Sequence, residues 1–355
     1  SGYTLDMTKS SCNNGVTISF DYNAWSVKTN YSNYKNTDNT RVKCSLYFRK
    51  ISFVEAVTTC GASGENAANC ITNHSFLSNE VIDDETGDHN LRFIGSDPDN
   101  YVRFNDELWR IIGVMNNIDD GTGTKETRLK IVRNEVLENC SFYAQNVGGM
   151  IYSNNNWPSS TLYDILNVGA YWNRASETCR CSSDGLPTTC DFSNSGLTLE
   201  AKTIIGNAMW NLGGVSSENS PTSTFYISER ESIVYQGRPT EWTGMVALAY
   251  PSDYGYATSG GSTVDRNTCL ATNLYSWDSV SDCYNNDWLY DSSNNQWTLT
   301  PGISLENVYR IQALGETNIF SSSMTAGVYP SVYLSSEVKI TSGQGTAIDP
   351  YRLEL

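Results

Sequence analysis

"YVRFNDELWRIIGVM", Tyr101 to Met115, decides the fold. Its first part carries the β-branched and aromatic residues of a strand as far as Phe104. Asn105-Asp106 then supplies turn chemistry, and a second strand is predicted from Leu108 to Met115. After the polar loop "NNIDDGTGTKE" comes "TRLKIVRNE", a third strand-like run. Three such segments joined by short turns predict an antiparallel meander.

Outward from the meander the pattern changes period. "PSSTLYDILNVGAYW" starts on Pro158 and Ser159 and spaces Leu162, Ile165, Leu166 and Ala170 as a helix does. "LTLEAKTIIGNAMWNLGG" predicts a second helix, with Ala201, Ile204, Ile205, Ala208 and Leu212 on one stripe and Gly213-Gly214 as its stop. Beyond residue 215 the chain reads as long irregular loops and then closing strands in "GVYPSVYLSSEVKI". Strands, helices and loops in that order predict an α+β domain over residues 91–355. Residues 1–50 read as a small β unit, with strand-like "VTISFDYNAW" and "RVKCSLYF". Residues 51–90 read as a connector that includes one short helix in "ISFVEAVTTC".

The totals narrow the function classes. The 355 residues are 39% hydrophobic and only 17% charged, with 22 tyrosines, which suits strands and turns better than long surface helices. A net charge of −16 repels phosphate backbones, so nucleic acid is not an expected partner. No apolar run reaches the length of a membrane span. The opening Ser1-Gly2 reads as a cloning remnant, so a signal or anchor is expected upstream of it. The ten cysteines favour disulfides over zinc, because Cys179-Arg180-Cys181 lacks ligand spacing and no histidine stands nearby. Proximity suggests the pairs Cys12–Cys44, Cys60–Cys70 and Cys269–Cys283, and leaves Cys140, Cys179, Cys181 and Cys190 unassigned. Disulfides in turn imply an extracellular or cell-surface setting.

Catalytic constellations are sparse. His74 and His89 both lie in polar stretches beside no motif, and no G-x-S-x-G elbow is present. Glu229, Glu231, Glu241, Asp253 and Asp265 could supply a glycosidase pair, but sequence gives no distance between them. Asp119 and Asp120, in "NNIDDGTGT", are the candidates for a structural calcium ion, although the loop lacks the full spacing of a calcium-binding loop. No other cofactor is expected. Tyrosines in loops, Tyr254 and Tyr256 among them, favour a binding surface over a catalytic cleft.

Several phrases then stand together in order: "YVRFNDELWRIIGV", "DDGTGTKETRLKIVRNE", "EWTGMVALAYPSDYGYATSGGST", "NNDWLYDSSNNQWTL" and "GVYPSVYLSSEVKI". From about residue 85 to 355 the chain resembles a family of surface proteins of Gram-positive gut bacteria. The resemblance implies a C-type-lectin-like fold of the formylglycine-generating-enzyme-like variant. It also suggests the variable proteins of diversity-generating retroelements, whose last surface segment is rewritten by error-prone reverse transcription. Between Trp297-Thr298-Leu299 and Gly327-Val328-Tyr329-Pro330 the chain carries diverse residues where such relatives carry Asn, Tyr and Ser. Tyr329 stands where those relatives have arginine. By this resemblance Leu305, Asn307, Tyr309, Arg310, Gln312, Glu316, Asn318, Phe320 and Met324 are displayed positions on a surface spanning about 302–326. No formylglycine-generating activity is implied, since the cysteines read as structural.

The sequence therefore points to a non-enzymatic secreted or surface ligand-binding protein. Its expected partner is a protein or glycan on another cell or a phage. A fixed-partner adhesin or pilus-tip component is the alternative, and a carbohydrate-active enzyme a more distant one.

Overall fold

The hairpin around Asn105 and Asp106 forms as its sequence dictates. Strand Tyr101–Phe104 pairs antiparallel with Glu107–Asp119, and both turn residues take the left-handed conformation, at φ 54° and 61°. Lys125–Arg133 pairs with the far side of Glu107–Asp119, completing the meander. This is a computed structural model, and it describes residues 3–21, 25–35, 41–231, 238–302 and 304–355.

The meander lies at the centre of a nine-stranded sheet. Its main path runs Val246–Leu248, Pro330–Tyr333, Lys125–Arg133, Glu107–Asp119, Tyr101–Phe104, Tyr351–Glu354 and Lys339–Ser342, with Val81–Asp83 and Leu91–Phe93 joined at one side. A second sheet of five strands runs Glu138–Ser141, Thr325–Val328, Gln296–Pro301, Asn307–Ile311 and Thr317–Ser321. The chain is thus α+β and mostly sheet, with short helices. One core joins both sheets, and Trp109, Trp157, Trp210, Trp277 and Trp297 are almost wholly buried in it.

Residues 51–90 are not the expected connector. They form helices Phe53–Ala62 and Ala67–His74, capped by Ser52 and Asn66, and then strand Val81–Asp83 of the large sheet. Gly61 shows how closely the first helix packs: a Cβ there would stand 1.6 Å from the Ile340 carbonyl oxygen. The first predicted helix begins later than Pro158 and Ser159, at Thr161 with Ser160 as cap, and breaks into Thr161–Asn167 and Ala170–Asn173.

The second predicted helix is cut short. It spans only Leu199–Ile204, and Ala208–Asn211 is a strand paired with Glu241–Gly244. Ile205 bridges to Leu334, and a Cβ on Gly206 would stand 2.5 Å from the Arg128 guanidinium. Pairing with Glu241–Gly244 and the bridge to Leu334 override the helical spacing there.

All ten cysteines are paired. The three bonds expected from proximity are present, and the other two join Cys140 to Cys181 and Cys179 to Cys190. Five disulfides place the chain's setting outside the reducing cytoplasm. Among the described residues no helix is long and apolar enough to cross a membrane.

Candidate binding surface

The segment from Gln296 to Val328 forms four strands of the smaller sheet. Gln296–Pro301 pairs with Asn307–Ile311, which turns back through Gln312–Glu316 into the edge strand Thr317–Ser321. Gly315 makes that turn at φ 99°, where a Cβ would also meet the Tyr284 ring at 2.5 Å. A second turn, Ser321–Met324, leads into Thr325–Val328.

This placement splits the expected display positions. Tyr309 is fully buried, edge-to-face on Phe225 at 5.0 Å. Arg310 is 3% exposed. Its guanidinium lies 3.6 Å from the Phe320 ring centre and 5.3 Å from that of Trp297, and burial lowers its pKa to about 10. Gln312 is buried. Tyr254 and Tyr256 are buried too: the Tyr254 hydroxyl donates to the Gly315 carbonyl at 2.7 Å, and Tyr256 packs on Tyr226. These five residues are interior parts, which corrects the expectation that they meet a ligand. Asn307–Ile311 is covered on both faces, with Tyr309 against Phe225 and Arg310 against Trp297 and Phe320, so alternation along the strand leaves Val308 to Ile311 buried.

Asn307, Glu316, Asn318 and Phe320 are half-buried. Leu305 and Met324 are exposed, at 53% and 45%. They lie at one end of the sheet, beside a hairpin that sequence reading missed, Gln145–Val147 paired with Met150–Tyr152. Asn155 ties the two together. Its amide donates to the Leu305 carbonyl at 3.0 Å, and its side chain reaches the Ser304 and Asn307 carbonyls at 2.7 and 3.0 Å. Ser153 and Ser321 hydroxyls meet at 3.2 Å, and Asn154 N–H donates to Ser322 Oγ at 2.9 Å. On the hairpin's other side Asn146 donates to the Gly185 carbonyl, next to Leu186. Val147, Met150, Ile151, Tyr152, Leu186, Leu305 and Met324 are all exposed apolar side chains on these cross-linked loops. The Cys140–Cys181 and Cys179–Cys190 bonds anchor the loop that carries Leu186. A grouping of this kind marks an interaction site more often than scattered surface residues do.

The calcium candidates are committed to their own turn. Asp119 Oδ1 accepts from the amides of Gly121 and Gly123, and Asp120 Oδ1 from the amide and hydroxyl of Thr122. Among the described residues, the three potential metal ligands found together are Cys60, Cys70 and His74, and the two sulfurs are bonded to each other.

The glycosidase candidates also resolve. Asp265 caps helix Arg266–Ala271, while Glu231 and Glu241 are exposed. Asp253 and Glu229 are sealed in the core. Asp253 takes Lys130 Nζ at 2.5 Å, Arg92 Nη1 at 2.6 Å and the Tyr250 amide at 2.9 Å. Arg92 also pairs with buried Asp84 at 3.0 Å. Burial would raise the Asp253 pKa, but the Lys130 and Arg92 charges outweigh it and hold it at about 2. Glu229 has a single, longer cation contact among the described residues, Arg230 Nη1 at 3.5 Å. Burial raises it to about 7 against the opposing pull of Arg230 and its bonds from Ser252.

These shifts set opposite pH windows. Asp253 is depressed when folded, so its contribution is present above its ordinary 3.8 and lost as pH falls toward 2. Glu229 is raised when folded, so its contribution is present below its ordinary 4.5 and lost as pH rises to about 7. The contribution of Glu229 to stability is therefore expected to fall by up to about 3 kcal/mol between pH 4.5 and 7.5. Denaturant melts across that range check this, and Glu229→Gln is expected to flatten the fall. A stability that rises from pH 5 to 7.5 contradicts the assignment.

Comparison with protein-family models, with curated proteins and with solved structures returns no match.

Proposed function

We propose that the chain is an extracytoplasmic recognition protein, without enzymatic activity, that binds a protein partner through the end of its smaller sheet. The reading rests on one observation: the exposed apolar side chains of the 145–152 hairpin, the Leu305 loop and the Met324 turn stand on loops tied by hydrogen bonds and disulfides. Pre-ordered loops lose little conformational freedom on binding. Met and Tyr are residue types enriched at protein interfaces. A C-type-lectin-like scaffold with a cell-surface location is the architecture we infer for it. Gene-level diversification, where it operates, falls on exposed Leu305, Glu306 and Met324 and on half-buried Asn318, and spares Tyr309, Arg310 and Gln312.

The test uses beads coated with the protein and whole cells as targets, before and after surface proteolysis. Protease-sensitive adherence is expected. It is lost in the variant Met150→Ser, Tyr152→Ser, Leu305→Ser, Met324→Ser, while the melting temperature shifts by only about 2 °C, as for exposed sites. Adherence that the four substitutions leave intact removes the proposal.

A further inference from the structure

A second site lies away from the apolar loops, on the face where the meander meets the segment after Trp288. A cleft of about 420 Å³ opens there, lined by Tyr101, Arg110, Asp97, Trp288, Asp291 and Tyr329 among others. Its size accommodates one or two sugar rings.

Arg110 is the fixed point of the cleft. It is 94% buried, with its guanidinium stacked between the rings of Tyr101 at 4.1 Å and Trp288 at 4.7 Å. Nε donates to Asn100 Oδ1 at 2.8 Å, and Nη2 to Asp97 Oδ1 at 3.1 Å and the Pro98 carbonyl at 3.3 Å. Nη1 makes no hydrogen bond among the described residues. A pre-oriented, stacked guanidinium with a spare donor is a strong recognition element.

Acceptors stand around it. Asp97 Oδ1 holds the Tyr101 hydroxyl at 2.8 Å, and the Asp97 side chain is 69% exposed, which leaves Oδ2 to the cleft or solvent. Asp291 Oδ2 takes the Tyr329 hydroxyl at 2.6 Å and Asn294 at 2.9 Å. Those two oxygens each hold two donors already, so the spare capacity lies on the other oxygen of each carboxylate: Asp97 Oδ2, and Asp291 Oδ1, which accepts from the Ser293 amide at 2.7 Å.

The charge balance selects the ligand class. The other cation of the cleft, Arg133, is already paired bidentate with Glu107, at 2.6 and 3.0 Å. Asp97, Glu135 and Asp291 outnumber Arg110, on a chain of net charge −16, so an anion is disfavoured. A cation would meet the unpaired face of Arg110. An uncharged molecule whose groups both donate and accept fits both sides, and a hydroxyl does both. We propose that this cleft binds a neutral saccharide, held by Arg110 and the Asp97 and Asp291 carboxylates between aromatic walls, with no metal ion required.

Saturation-transfer NMR in the presence of EDTA tests it. The probes are glucose, galactose, mannose, N-acetylglucosamine and their disaccharides, with galacturonate and glucuronate as charged controls. Saturable binding of at least one neutral sugar is expected, with no binding of the uronates. Asp97→Asn, an exposed change, and Arg110→Lys, checked for its melting temperature, each weaken it about tenfold. The four-serine variant of the apolar loops leaves it unchanged, so this site and the protein-binding surface fail separately. Absence of binding by every neutral sugar, equal binding of the uronates, or full binding by Asp97→Asn overturns the proposal.

Discussion

Replacing Asp253 by alanine is expected to lower the unfolding free energy by about 3–5 kcal/mol. The carboxylate accepts from Lys130, Arg92 and the Tyr250 amide at once, and the two cations are each 1% exposed. Without it Lys130 is left as a buried charge among the rings of Tyr250, Trp210 and Tyr333, which lie 4.1, 5.1 and 5.5 Å away. Burial already lowers the Lys130 pKa to about 8 even with Asp253 beside it. Among the described residues Arg92 would retain only Asp84 as a charge partner. The paired change Lys130→Met, Asp253→Leu is expected to be less harmful than the sum of the single changes, since it removes both ends of the contact. Urea midpoints of the parent, Asp253→Ala, the two single changes Lys130→Met and Asp253→Leu, and their combination measure this. An Asp253→Ala loss below about 1 kcal/mol contradicts it.

Tyr309→Ala is expected to cost about 3–5 kcal/mol, as for other large aromatic side chains removed from a core. Tyr309 has no exposed surface and sits edge-on to Phe225. Four residues earlier, Leu305→Ala is expected to change stability by no more than about 0.5 kcal/mol, because the side chain is half in solvent. The two variants side by side separate interior from displayed positions within one short segment. Equal effects in thermal or denaturant melts would remove the distinction.

What the sequence disclosed follows from how local each signal is. Asn105-Asp106 sets its hairpin through two adjacent residues, so that turn is readable. Cys60–Cys70 and Cys269–Cys283 lie 10 and 14 residues apart and are readable for the same reason. Cys140 and Cys181 meet across 41 residues, which nothing local announces, and with Cys181 two residues from Cys179 the Cys179–Cys190 bond, 11 residues apart, is not singled out either. Helix Pro251–Ala257 is buried all round, so it has no apolar stripe to detect, and Gly255 within it packs directly on Thr222. Helix Thr222–Arg230 was hidden for a related reason: its inward face includes Glu229, which reads as a surface residue. Tyr309 and Arg310 misled similarly. A tyrosine and an arginine in a diverse run look like display positions, yet one fills the core and the other is stacked on Phe320. The apolar hairpin at Met150 was overlooked because so short a β pair carries little periodicity.

The central claim is that one end of the smaller sheet varies freely while the strands behind it do not. A saturation substitution scan of residues 304–324, sorted for folded protein, tests it most directly. Broad tolerance is predicted at Leu305, Glu306 and Met324, with only conservative replacements surviving at Val308, Tyr309, Arg310, Ile311 and Thr317. Uniform tolerance across the whole segment, or intolerance at Leu305 and Met324, would contradict it.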